Sequence, residues 1–282
     1  MNYRHAYHAG NQADVLKHVV LALILEHLKA KEKPFRVIDA HAGVGVYDLT
    51  SVEAGKTREW EGGVGRMGEA FTPEVEVLLA PYRRVLAALN GQGPITRYPG
   101  SPWLAAALMR AQDRMIANEL HPVDRQLLEE CFRPDLRVTV LGLDAGPCVK
   151  ANLPPPERRG VVLIDPPYEL KDEAERSVAL LADGLRRFAS GCFMLWYPVK
   201  ADGIEVRVAD ACTALGVAAT LRVEMRVREG FKGGGLAGSG LIIVNPPWKL
   251  APELSRLIPA LAKRLGLGDW GQGTVNWLLP PA

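Results

Sequence analysis

Apolar residues in this chain recur in two rhythms. Short, nearly unbroken runs, each stopped by a polar residue, stand at FRVID (35–39), RMIANE (114–119), LRVTVLGLD (136–144), VVLID (161–165), CFMLWYP (192–198) and LIIVN (241–245). Runs without alternation predict strands buried on both faces, as in a parallel sheet. Elsewhere the period lengthens to that of a helix. Val178, Leu181, Leu185 and Phe188 share one face of 171–189, Pro122 sits near the first turn of 121–132, and a further helix is expected over 250–265. Strands alternating with helices predict a doubly wound α/β sheet.

Residues 46–97 interrupt the alternation. They contain no convincing strand, and Val75, Leu78, Leu79, Tyr82, Val85, Leu86 and Leu89 line one helical face of 73–90. This predicts a small helical subdomain (46–97) inserted into a single domain spanning 1–282. The glycine-rich stretch 230–240 reads as a flexible connection between the strand-like 221–228 and 241–245.

Composition adds limits. With 282 residues, 48% of them apolar, there is ample material for a core, and a net charge of +2 neither announces nor excludes a nucleic-acid partner. Cys131, Cys148, Cys192 and Cys212 are scattered without a CxxC pair, which argues against a zinc site or a disulfide framework. The apolar run 19–25 is much shorter than the ~20 residues a membrane span needs. A soluble, cytoplasmic protein is expected.

The candidate chemistry stands at strand ends. In VIDAHAGVGVYD (37–48) a strand stops at Asp39, and Gly43 and Gly45 follow in a turn where an open α/β sheet binds cofactors. A dinucleotide fingerprint requires a third glycine where Asp48 stands, so a dehydrogenase is disfavoured. The Asp-x-x-x-Gly-x-Gly form resembles the first motif of S-adenosylmethionine-dependent methyltransferases, although a plain strand–helix turn fits it equally. Glu119 closes the second run, where an acid accepts hydrogen bonds from a ribose diol. Asp144 closes the third, where an acid receives an adenine amino group.

Two near-copies of one tetrapeptide remain: Asp165-Pro166-Pro167-Tyr168 and Asn245-Pro246-Pro247-Trp248. An exocyclic amine on an aromatic base is a poor nucleophile because its lone pair is delocalised. A carboxylate and a carbonyl oxygen accepting its two N–H bonds favour a pyramidal, more reactive nitrogen. Consecutive prolines donate no N–H and fix φ, holding the Pro166 carbonyl in place. Tyr168 offers a face on which an extruded base stacks. The second copy follows a late strand expected to run antiparallel and so to end at the opposite edge; its prolines are read as ending that strand and starting a helix. In the N-terminal segment, Lys17 and His18 flank an apolar helical face from about Ala13. Those two residues fit a solvated helix edge or a phosphate and a stacked base, and composition does not decide.

Taken together, NYRHAYHAGNQADVLKH, DAHAGVGVYD, YPGSPWLAA, ELHP, RRGVVLIDPPYE, LWYPV and NPPWK resemble the bacterial RlmJ family of 23S ribosomal RNA adenine-N6 methyltransferases, from residue 2 to about 280. The resemblance implies a Rossmann-like, class I S-adenosylmethionine-dependent methyltransferase fold with an inserted helical subdomain. It also implies methylation of N6 of a specific adenine in 23S rRNA, free or partly assembled, by a monomer without metal. It assigns cofactor contacts to His18, His41, Ser101, Glu119, Asp144, Ala145 and Asp165, beside Gly43 of the glycine turn, and catalysis to Asp165, with Pro166 and Tyr168 beside it. Tyr3, His5 and Lys17 match the family's N-terminal substrate motif. Ala145 replaces the family's usual glycine, a small change. The rivals are a DNA adenine methyltransferase, a protein-glutamine methyltransferase, which Asp165 in place of asparagine disfavours, and a non-catalytic RNA-binding module. Arg83, Arg84 and Lys232 are candidates for RNA phosphates.

Overall fold

A computed structural model describes residues 4–230, 235–268 and 270–281. Its strands are β1 (Arg36–Asp39), β2 (Val46–Asp48), β3 (Arg97–Pro99), β4 (Arg114–Asn118), β5 (Val138–Leu141), β6 (Gly160–Ile164), β7 (Cys192–Val199), β8 (Thr220–Arg226), β9 (Gly238–Val244) and β10 (Gln272–Leu279). The helices are α1 (Gln12–Lys29), α2 (Val52–Thr57), α3 (Glu59–Gly62), α4 (Pro73–Asn90), α5 (Ser101–Leu108), α6 (Pro122–Phe132), α7 (Ala145–Asn152), α8 (Glu173–Arg187), α9 (Ile204–Ala214) and α10 (Leu250–Leu265).

The main sheet has the order β10-β8-β9-β7-β6-β1-β4-β5. From β5 to β7 neighbours are parallel, while β9 runs antiparallel to β7 and β8, and β10 antiparallel to β8. The apolar runs of β1, β4, β6, β7 and β9 are buried because helices cover both faces: α1, α4, α5, α6 and α10 on one, α7, α8 and α9 on the other. The run at 136–144, expected to be buried on both faces, is not: β5 is an edge strand of the sheet and is only partly covered. β1 lies between β4 and β6, so the turns after these three strands meet at one edge, where the topology switches direction.

Three details depart from expectation. The segment 46–97 opens and closes in an antiparallel ribbon, β2 on β3. Three-residue strands are too short to leave an apolar run. β10 has no such run either, because it is the sheet's exposed edge and alternates in burial. Finally, α1 is no solvated edge: Lys17 is 4% and His18 2% exposed, since the sheet, α4, α5 and α10 enclose the helix. Asn11 caps it by accepting from Ala13 N and Asp14 N.

Candidate functional site

A cavity of about 1050 Å³ opens over the carboxyl ends of β1, β4 and β6. Every assigned residue from His5 to Tyr168 that falls within the described residues lines it. Tyr3 and Lys232 lie outside those residues.

One half is built by the turns after β1 and β4. Gly43 (φ +65°) and Gly45 (φ +88°) require the left-handed conformation. Space against the protein itself also selects them: a Cβ at Gly43 runs into Tyr47 Oη, and one at Gly45 comes 2.9 Å from Cys131 Sγ. Gly43 N donates to Glu119 Oε2 (2.9 Å) and His121 N to Oε1 (2.7 Å), pinning the carboxylate across the turn. Burial pushes Glu119 above the usual carboxylate range against these two bonds. Glu119 stands one residue beyond β4. Asp144 lies past the end of β5, at the N-cap position of α7; its carbonyl accepts Cys148 N (3.0 Å), but its side chain makes no hydrogen bond to that helix. Ala145 begins the helix. Asn118 ties these turns together, donating to the carbonyls of Ala40 (3.1 Å) and Leu143 (2.8 Å) and accepting from Leu143 N (3.0 Å).

At the floor, buried Asp39 accepts from Ser101 Oγ (2.6 Å) and His41 N (3.2 Å). Burial pushes its carboxyl up to about 7, against both bonds. Burial also pushes His18 down to about 3 and His41 down to about 4, so both imidazoles are neutral near pH 7. His41 Nδ1 accepts the backbone N–H of Asp165 (3.1 Å), which places its own proton on Nε2. His18 Nδ1 lies 3.0 Å from Tyr98 Oη, itself 3.2 Å from Tyr82 Oη on α4.

The other half is formed by α1 and the turn after β6. Lys17 Nζ donates to Asp165 Oδ2 and lies 3.2 Å from Asp14 Oδ1. Asp14 Oδ2 meets His5 Nε2 at 2.8 Å and accepts Gly10 N at 2.9 Å. Burial alone would discharge Lys17; the carboxylates of Asp165 and Asp14 reverse this and hold the ammonium charged. Burial likewise opposes charge on Asp14, and His5 and Lys17 outweigh it. The chain His5–Asp14–Lys17–Asp165 therefore fixes Asp165, which lines the cavity, through Oδ2.

Tyr168 departs from its expected place. Its ring is 8% exposed, with its edge against Trp196 (centroids 5.6 Å apart) and its hydroxyl donating to the Trp196 carbonyl (2.9 Å). With Tyr168 turned inward in the left-handed conformation (φ +52°), the half-buried ring at the cavity is that of Trp196, 5.6 Å from Lys17 Nζ. Trp196 and Asp14 are the residues that sequence reasoning missed. An acid three positions before a lysine on a helix, and a tryptophan within the run 192–198, were the available signals. Arg83 is spent on Met67 O (2.8 Å) and Glu76 (2.8 Å) rather than held out for phosphate, whereas Arg84, bridged to Glu26 (2.8 Å), remains exposed.

Asn245 sits at the opposite edge, where antiparallel β9 ends beside the start of β7. Its side chain donates to Ala189 O (2.8 Å) and Gly191 O (2.9 Å). It closes a turn and touches no part of the cavity.

Comparison with known proteins gives a consistent result. The family model described as "Ribosomal RNA large subunit methyltransferase D, RlmJ" matches residues 32–279. A protein named ribosomal RNA large subunit methyltransferase J from Haemophilus influenzae is 44% identical, covering 99% of each chain. Its namesake in Escherichia coli is 41% identical, again with 99% of each covered. A crystal structure of a Legionella pneumophila protein superposes with a TM-score of 0.85 at 30% identity, covering 95% of this chain and 98% of that one.

Proposed function

This chain belongs to the RlmJ family of ribosomal RNA large subunit methyltransferases, and from that premise we propose that it methylates N6 of one adenine in 23S ribosomal RNA. S-adenosylmethionine is the cofactor, and when bound it supplies an electrophilic methyl group. The cavity fits it. The Asp144 side chain, unspent on its own helix, accepts from the adenine amino group. Glu119 keeps lone pairs for the ribose diol. Ser101, whose hydroxyl donates to Asp39, keeps lone pairs to accept from the cofactor's ammonium.

The observation that carries the catalytic assignment is the mounting of Asp165. Lys17 holds Oδ2, His41 holds the backbone N–H, and Oδ1 is left to accept one amine N–H of the target base. The Pro166 carbonyl, on a backbone stiffened by Pro167, accepts the other. Tyr168 supports Trp196 from below, and the Trp196 ring receives the extruded base. His5 and Lys17 hold this wall of the site, with Tyr3 placed by resemblance alone. The enzyme acts as a monomer in the cytoplasm on free or partly assembled RNA.

Mass spectrometry of 23S fragments from cells with and without the gene tests the substrate: one N6-methyladenine must disappear, and an unchanged inventory refutes the reading. Methyl incorporation into naked 23S RNA but not into duplex DNA separates the two polymers. Asp165→Asn lowers kcat by about 100-fold or more while the cofactor still binds, whereas Asn245→Ala leaves kcat intact. The reverse pattern would overturn the assignment.

A further inference from the structure

Trp248 and Lys249 have no part in the site, yet Trp248 is 84% exposed, with Lys249 Nζ 5.9 Å from its ring centroid. Lys249 opens α10, and Arg256 and Lys263 follow at successive intervals of seven residues. Seven residues are nearly two turns, so the three cations share one exposed face at spacings of about 10 Å. Glu253, the sole acid of this helix, is turned to His27 at 2.7 Å. A face kept only for solubility mixes both signs; this one is cationic along its length.

The helix also runs to the right place. Its first residues follow β9 at the edge far from the cavity. Just past its last turn, Leu267 N bonds Val227 O (2.7 Å), and Val227 N bonds Ala237 O (2.9 Å), next to cavity-lining Leu236. The row of cations thus leads from the cavity's side of the sheet to an open indole at the other.

We propose that the exposed face of α10 is a docking track for the RNA strand that leaves the cavity, with phosphates on Lys263, Arg256 and Lys249 and an unpaired base stacked on Trp248. This rests on RNA being the substrate. Phosphate contacts set register without reading sequence, and an aromatic platform accepts any base.

The test compares a hairpin carrying the target adenine with the same hairpin extended by flanking 23S sequence. For the extended RNA, Lys249→Gln, Arg256→Gln and Lys263→Gln together make the plot of log Kd against log salt shallower by about 2, since each single-strand phosphate contact contributes roughly 0.7. Trp248→Ala weakens its binding roughly 5- to 100-fold. Affinity for the bare hairpin and for S-adenosylmethionine stays at the wild-type value, which also reports that the variants fold. Wild-type affinity and salt slope for the extended RNA in both variants would overturn the track. So would weakening that is equal for both RNAs, or loss of a protein contact with RNA binding intact. Methyl transfer to RNA by the unmodified protein is read in parallel, so a wrong substrate and a wrong track are told apart.

Discussion

Three buried side chains decide which nitrogen of His18 carries its proton. If Tyr82 donates to Tyr98 and Tyr98 donates to His18 Nδ1, both hydroxyl protons have acceptors. The reverse chain strands the Tyr82 proton in a fully buried site, at a cost of about 1–3 kcal/mol. His18 therefore keeps its proton on Nε2, and under the proposed function that neutral donor is what His18 offers the cofactor. Tyr98→Phe removes the deciding proton. It is expected to weaken S-adenosylmethionine about 10-fold in calorimetry and to move the His18 nitrogen resonances toward the other tautomer; an unmoved spectrum would count against the chain. None of this was legible beforehand. Asp39, Glu119, Asp144 and Asp165 announce themselves as polar stops to apolar runs. Lys17 reaches Asp165 across 148 positions, and no local pattern encodes that meeting.

Burial made most strands legible; β5 is the exception, an apolar run read as a strand although it lies at an edge with no residue fully buried. β6 is enclosed throughout and reads as an uninterrupted run, whereas β10, half exposed at the edge, leaves no signature. The Asn245 turn shows how two nearly identical tetrapeptides diverge once strand direction is fixed: β6 delivers its copy to the cavity, and antiparallel β9 delivers its own to the far edge. There Asn245 adopts φ +53° and satisfies two carbonyls at the start of β7. Asn245→Ala should cost roughly 1–3 kcal/mol in urea unfolding, through two lost bonds and an alanine in a left-handed conformation. Activity per folded molecule should be unchanged.

For the molecule as a whole, Asp39 couples stability to pH. Burial raises its carboxyl from 3.8 to about 7, so the folded state holds this proton more tightly than the unfolded chain does. Its contribution is fully present below about pH 3.8 and is lost as pH rises toward about 7. Asp39→Asn, which still bonds Ser101 and the His41 N–H, removes that dependence. The melting temperature of the variant minus that of the wild type should rise between pH 4 and 7 and level off above, corresponding to a few kcal/mol. A flat difference would show that the two hydrogen bonds outweigh burial.

The enclosure of α1 has a consequence for how the protein is made. This helix leaves the ribosome before the elements that cover it, and most of its residues are buried in the folded protein. Its neighbours α4, α5, β9 and α10 emerge later, the last of them some 220 residues after it. During most of synthesis an apolar rod carrying the charges of Asp14 and Lys17 waits without its partners, so the nascent chain is a natural client for chaperones that shield apolar segments. The active site is complete only when this helix is housed among elements made long after it.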